Sequence, residues 1–266
     1  MPTKTTEDVV APIRFIIWQQ LYNTEKPFQI FIQPPKDAKD QRTNNLVFVE
    51  HETTIRDIRG SEEDFNLDHH GFQFCNSKSK FEDFENMKAV EQEYLPEIKR
   101  LIESEVKGAD RVHFFDWRLR RSSPIPAGTV VDLCKPTDWL RPSIHAHVDN
   151  SPSAILNRIM TELPDEAELL LQGRLQVINV WKPLHNPVED WPLAVADGST
   201  ISLDDLIDTD HVRRYYAGSV LNLMHRPDYK WYYLSQQNKD EVLFIKNFDS
   251  DDSVKASLST CCVREP

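Results

Sequence analysis

The chain has 266 residues and a formal net charge of −12, with 39% hydrophobic and 28% charged residues. This composition is typical of a soluble globule, and the acidic balance argues against nucleic acid as a partner, because phosphate binding needs a basic surface. No apolar run approaches the roughly 20 residues of a membrane helix, so a membrane partner is not expected. The N-terminus resembles neither a secretory signal nor a transit peptide. We therefore expect one domain spanning residues 1–266, located in the cytoplasm.

Short apolar runs open the chain. Residues 13–33 predict two extended segments, or a short helix and a strand, and residues 34–45 predict a polar loop. An alternating, β-branched run at 46–50 predicts a strand. The first third of the chain is therefore expected to be mostly extended.

The clearest helical pattern covers residues 81–106, where apolar side chains recur at helical spacing between Glu and Lys. Pro96 stands at the start of this helix or divides it into two, and Gly108 is a C-terminal stop. The apolar run at 112–117 predicts a further strand.

The second half is mainly β. A helix is expected from 151 to 160, or on to 171. Strands are predicted at 174–181, 193–196, 219–223, 230–234 and 241–246. Many short strands with a few helices before them predict a mainly β fold with flanking helices, of the double-stranded β-helix (jelly roll, cupin-like) type.

His147-Val148-Asp149 is the most informative motif. Residues i and i+2 of a strand point to the same face, so His147 and Asp149 can present an imidazole and a carboxylate to one ion. A distant second His would complete the 2-His-1-carboxylate face of a non-haem iron site. Residues 259–266, the last candidate stretch, contain no His. The alternative interpretation is a surface His and an Asp that caps the following helix.

The four cysteines, Cys75, Cys134, Cys261 and Cys262, form no C-x-x-C pair. Neighbouring side chains on a strand point to opposite faces, so Cys261-Cys262 is a poor zinc pair. Free or buried thiols are expected.

A series of short motifs follows in order along the chain. They are 57–60 (DIRG), 67–72 (LDHHGF), 94–97 (YLPE), 115–118 (FDWR), 147–151 (HVDNS), 179–184 (NVWKPL), 192–197 (PLAVAD), 231–233 (WYY), 240–243 (DEVL) and 248–250 (FDS). Together they resemble the fungal hydroxylase/desaturase family (AsaB-like and CmcJ-like) over roughly residues 46–266. The resemblance implies a double-stranded β-helix of the Fe(II)/2-oxoglutarate oxygenase type that works in secondary metabolism.

The chain departs from this family pattern at three places. The segment that supplies the distal iron His in the family is 260–263 here, with Cys261 near the His position. The sequence reaches Pro266 before the stretch that supplies the 2-oxoglutarate Arg, and Trp117 replaces a family His. His225 or Cys261 could substitute as a metal ligand and Arg264 as the carboxylate anchor, but loss of iron binding is the simpler expectation.

These departures predict an enzyme of natural-product biosynthesis that has kept the oxygenase scaffold as a metal-independent cyclase or isomerase, for example of the Diels-Alder type. No cofactor is expected; if iron is bound, His147 and Asp149 are its ligands. The candidate catalytic residues are His147, Asp149, Arg118, Asn179, Trp181 and Tyr233. The Arg118–Arg121 run is either a solvated strand edge or an anion contact.

Two alternatives stay open. The first is an Fe(II)/2-oxoglutarate-dependent hydroxylase or desaturase, with both of those cofactors. The second is a non-catalytic partner subunit of a true oxygenase or methyltransferase. The expected partner is a small-molecule natural-product intermediate, and a homodimer is allowed.

Overall fold

The computed structural model describes residues 7–126, 129, 131–213 and 217–263. Its strands, in chain order, are β1 (Val9–Ile16), β2 (Phe28–Ile30), β3 (Phe48–Asp57), β4 (Phe72–Asn76), β5 (His147–Val148), β6 (Gln176–Trp181), β7 (Leu193–Ala196), β8 (Leu206–Val212), β9 (Ala217–Leu223), β10 (Trp231–Tyr233), β11 (Glu241–Asp249) and β12 (Cys261–Val263). Its helices are α1 (Leu67–His70), α2 (Met87–Ala89), α3 (Leu95–Glu105), α4 (Pro152–Glu162) and α5 (Ala167–Leu170). None of these described helices has the length and apolar character needed to span a membrane.

The strands form two sheets. Within the described residues the larger sheet has nine strands in the order β1-β3-β10-β7-β12-β5-β9-β8-β2, and the smaller has three in the order β4-β11-β6. Nearly all neighbours are antiparallel; β3 with β10 and β2 with β8 are parallel. The many crossovers between strands that are distant in sequence are typical of a jelly roll. The predicted fold, a double-stranded β-helix with flanking helices, is confirmed.

A buried cluster joins the two sheets. Val195 and Tyr232 from the larger sheet pack against Leu243 and Ile245 of β11. Side chains of opposite parity on β11, Val242 and Phe244, pack on the other face with α3. The strand is therefore buried on both faces, which explains its nearly continuous apolar sequence.

The predicted helical region is confirmed. The helical segment runs from α2 through a π-helical turn at Val90–Tyr94 into α3, where Pro96 occupies the first turn. Because Pro96 lacks an N–H and its ring crowds the carbonyl of residue i−4, regular α-helix cannot continue unchanged through it, and the π-helical turn lies directly before it. Gly108 follows the helix with φ of 82°, a conformation that favours glycine.

The strand predicted at 112–117 is wrong. This stretch belongs to the irregular backbone of residues 107–126 and 131–146, within which Arg120 and Leu140 form an isolated bridge. Its apolar side chains pack into two clusters, through Phe114 on one side and Trp117 on the other. The apolar alternation therefore indicated partial burial correctly, although no strand among the described residues pairs with 112–117.

Candidate active site

A cavity of about 1420 Å³ opens beside the larger sheet. Residues 107–123 and 139–145 of the irregular segment form one wall, and β6 and β9 contribute others. His147, Asp149 and Cys261 line it together with His145 and Asn179. This volume is ample for a natural-product-sized molecule.

His147 and Asp149 lie side by side at the cavity wall. The His147 Nδ1 donates to the backbone oxygen of His145 at 2.7 Å, and Nε2 lies 3.0 Å from Asp149 Oδ1. A carbonyl and a carboxylate oxygen only accept, so both ring nitrogens must carry protons. Burial alone would lower the pKa of His147, but the hydrogen bond and charge of Asp149 outweigh it and raise the pKa. The pair is therefore an imidazolium next to a carboxylate.

Two further contacts fix Asp149. The Asn179 amide donates to Oδ2, and the backbone N–H of Asp149 donates to Asn247 Oδ1 at 3.0 Å. The following helix α4 is capped by Ser151, whose Oγ accepts from the Ala154 N–H at 3.2 Å. The alternative role of Asp149 as helix cap is therefore wrong. Its side chain stays 37% exposed, facing the cavity.

Cys261 completes this cluster. On β12 it pairs directly with His147 of β5 and with Val195 of β7. One ligand atom each from His147, Asp149 and Cys261 lies within 4.8 Å of the others, and the described residues contain no other such group. Burial, followed by the nearby charge of Asp149, raises the pKa of the Cys261 thiol. Cys262 lies in the buried core on the other face of the strand.

Two histidines that the sequence analysis did not single out also line the cavity. Burial, followed by the charge of His147, lowers the pKa of both His145 and His211 to about 4, so both are neutral. His145 could have been found as the residue two before His147. His211 has no comparable local signal, because β8 reaches the cavity only through its pairing with β9. His225 lies elsewhere and stacks on His51 with ring centroids 3.8 Å apart.

The structure brings most of the predicted residues together. Arg118, Asn179 and Trp181 line the same cavity as His147 and Asp149. Tyr233 does not, and its expected placement there is wrong. Its hydroxyl donates to the Glu7 backbone oxygen at 2.9 Å, and its ring packs in the core of the larger sheet.

The placement of Tyr233 follows from strand periodicity. Tyr233 and Trp231 share one face of β10, and Tyr232 points to the other face, toward the smaller sheet. Arg264, considered as a carboxylate anchor, lies outside the described residues.

Comparisons with known proteins agree with this architecture. The family described as an oxidoreductase/YMDC permease-like domain matches residues 15–264. The Fe(II)/2-oxoglutarate-dependent dioxygenase nvfI of Aspergillus novofumigatus is 30% identical over 256 residues, covering 89% of this chain and 88% of the relative. Hydroxylase/desaturase CTB9 of Cercospora beticola is 33% identical over 239 residues, covering 81% and 73%. Hydroxylase/desaturase poxK of Penicillium oxalicum is 28% identical over 285 residues, covering 97% and 83%.

Solved structures extend the similarity to three dimensions. The iron and alpha-ketoglutarate-dependent endoperoxidase NvfI matches with a TM-score of 0.83 and 28% identity, over 97% of this chain and 90% of that one. Relatives and solved structure alike are enzymes of the oxidoreductase class. The chain therefore belongs to the fungal family of Fe(II)/2-oxoglutarate-dependent dioxygenases and hydroxylase/desaturases.

Proposed function

We propose that this chain is a secondary-metabolite enzyme that cyclises or isomerises a natural-product intermediate without iron or 2-oxoglutarate. The observation that carries the proposal is Cys261. Its thiol stands beside His147 and Asp149, where an oxygenase of this family needs a second imidazole. The relatives named above are oxygenases, so the proposal gives the shared cavity a different use in this chain.

An iron centre of the kind that the family implies needs a particular set of donor atoms. An imidazole, a carboxylate and a thiol do not make the 2-His-1-carboxylate face of a non-haem Fe(II) oxygenase. A thiol ligates a metal as its thiolate, whereas the buried Cys261 has a raised pKa and is neutral in the free protein. The residues present therefore do not fit that centre.

The His147–Asp149 pair offers the chemistry that a metal-free conversion needs. The Asp149 carboxylate faces the cavity and can accept a hydrogen bond from a bound substrate. Burial alone would raise its pKa, but the hydrogen bond and charge of His147 outweigh burial and lower it, so the carboxylate stays ionised and acts as a fixed acceptor, not as a base. The Asn179 amide holds the carboxylate in place before any reaction begins. Trp181 and the neighbouring apolar side chains would orient the substrate and exclude water.

The second candidate is an Fe(II)/2-oxoglutarate-dependent hydroxylase or desaturase. It is favoured by the family membership and by the close approach of the three donor atoms. The two candidates differ in a single measurable property, which is whether turnover depends on added metal and co-substrate.

The first experiment measures metal content. Wild type, Cys261→His and Cys134→His would be reconstituted with Fe(II) under nitrogen, and bound iron would be counted after desalting. We expect iron to be retained by Cys261→His, which restores the second imidazole, and not by wild type. Cys134 is exposed and outside the donor group, so Cys134→His controls for an added surface His. Stoichiometric iron in wild type would contradict the proposal.

The second experiment measures turnover. The substrate would be the intermediate that accumulates when this gene is deleted from its source, incubated with protein in EDTA and without oxygen. Conversion should continue under these conditions and should fall by at least tenfold in Asp149→Asn, which keeps the shape and removes the charged acceptor. A strict requirement for both Fe(II) and 2-oxoglutarate would assign the chain to the second candidate.

A further inference from the structure

The cavity carries the opposite charge to the molecule as a whole. The chain has 43 acidic and 31 basic residues. Among the described residues that line the cavity, eight arginines and two lysines face five carboxylates. A concave site lined with one sign of charge concentrates its field and attracts ligands of the other sign. The cavity is therefore built to receive an anion.

Three of these arginines lie together on the irregular segment. Arg120, Arg121 and Arg141 are brought side by side because the Leu140 N–H donates to Leu119 O at 2.9 Å and the Arg121 N–H donates to Leu140 O at 3.0 Å. Arg120 Nη1 donates to the backbone oxygen of Arg141 at 2.7 Å. We call these three residues the arginine wall.

The arginine wall differs from three other arginines of the cavity. Arg111, Arg118 and Arg174 each hold a carboxylate: Glu166, Asp116 and Asp249, respectively. Within the described part of the chain, no carboxylate lies within 4.0 Å of the three guanidinium groups of the wall. The buried Nε of Arg121 also has no hydrogen-bond partner. Like charges held together without a counter-ion repel each other, so an anion bound there would relieve this repulsion.

The arginine wall and the His147–Asp149–Cys261 cluster line the same cavity. A guanidinium binds a carboxylate through two parallel hydrogen bonds, which fixes orientation as well as position. A ligand anchored at the wall would place its adjoining atoms at the cluster.

We propose that the arginine wall binds the carboxylate of an anionic ligand and so directs the rest of that molecule to His147, Asp149 and Cys261. The carboxylate that we assign to the wall belongs to a natural-product substrate, and binding of a small 2-oxo acid in its place is an outcome that the test separates. The inference does not depend on whether the reaction needs a metal, because it concerns binding alone.

The test measures binding by quenching of tryptophan fluorescence, since Trp117 and Trp139 lie in the cavity wall. The probes are 4-(1-pyrenyl)butyrate with its methyl ester and 2-oxoglutarate with its dimethyl ester. We expect pyrenylbutyrate to bind wild type tenfold or more tightly than its methyl ester. Arg120→Gln should abolish this preference without weakening the ester. Arg120→Lys should recover only part of it, because the ammonium keeps the charge and loses the two-pronged contact.

The matched control is Arg111→Gln, which removes a charge from the same cavity at an arginine already paired with Glu166. It should leave the preference within about twofold of wild type. Preference for pyrenylbutyrate over its methyl ester supports the inference, whereas a preference for 2-oxoglutarate alone overturns it. Equal affinity for acid and ester in both pairs overturns the inference, as does an unchanged preference in an Arg120→Gln protein whose thermal unfolding matches wild type.

Discussion

Two clusters of charged residues in this molecule differ in whether their charges are paired with opposite charges. Lys246 is fully buried, and its Nζ donates to Asp249 at 2.6 Å, to Asp68 at 3.1 Å and to the Ala256 backbone oxygen at 3.3 Å. Arg174 holds both carboxylates as well. In the arginine wall, by contrast, no described carboxylate accompanies the guanidinium groups. A cluster that serves the fold satisfies its own charges, whereas a cluster that serves a ligand leaves them for the ligand.

The Lys246 cluster, which consists of Lys246, Asp249, Asp68 and Arg174, also bears on the candidate active site. It joins β11, α1 and the segment before β6 to the chain that returns toward β12. That returning chain passes so close to Gly198 and Gly71 that a Cβ on either would meet the Leu258 oxygen. Cys261 follows three residues later, so the position of the third donor rests on this packing.

The largest expected effect is on the Lys246 cluster. Asp249→Ala should lower the free energy of unfolding by about 3–5 kcal/mol, because it leaves the buried ammonium with Asp68 as its only carboxylate. Urea denaturation would measure the change. Asp68→Ala is the matched control and should cost less, since the side chain of Asp68 is half exposed. Equal losses of unfolding free energy in Asp249→Ala and Asp68→Ala would show that burial of the carboxylate does not decide its contribution.

Lowering the pH should weaken the contribution of the same cluster to the free energy of unfolding. Burial alone would raise the pKa of Asp249, but hydrogen bonds from Arg174 and Lys246 outweigh it and lower the pKa to about 2. A carboxyl with a lowered pKa stabilises the fold above its unfolded value near 3.8 and loses that contribution as pH falls toward 2. We expect wild type to lose roughly 2 kcal/mol across this window. The loss should be smaller in Asp249→Ala, and parallel pH curves for the two proteins would argue against this cause.

Packing around the returning chain should give the next effect. Gly198→Ala would set a Cβ against the Leu258 oxygen and should destabilise the fold by about 1–3 kcal/mol. Gly173→Ala is the control, because its Cβ would meet nothing closer than 3.7 Å. If the displaced chain carries Cys261 with it, Gly198→Ala in a Cys261→His background should also retain less iron. Unchanged stability and iron retention would show that the returning chain can shift to make room for the added Cβ without loss of stability.

The smallest expected effect is on the arginine wall. Arg120→Gln should change the free energy of unfolding by less than about 0.5 kcal/mol, because Arg120 is exposed to the cavity and forms no described ion pair. The same urea titration used for Asp249→Ala would measure it. A loss of several kcal/mol would mean that the wall supports the fold, and it would remove the contrast between the two clusters.

The sequence by itself determined the class of fold and the first two groups of the site. Strand periodicity placed His147 and Asp149 on one face, helical spacing located the 81–106 region, and the ordered motifs indicated the oxygenase family. These features depend on neighbours within a few residues or on a pattern kept along the whole chain.

Only the tertiary structure decided what faces that pair. Cys261 lies opposite His147 because β12 inserts between β5 and β7, a pairing between residues more than a hundred positions apart. Tyr233 does not line the cavity because its side of β10 packs in the core of the larger sheet. Residues 112–117, predicted as a strand, belong to the irregular wall of the cavity. The Arg120 side chain, which follows them, donates to the Arg141 backbone oxygen. Local patterns report whether a side chain is buried or exposed, but its neighbours depend on register and chain path, which long-range packing sets.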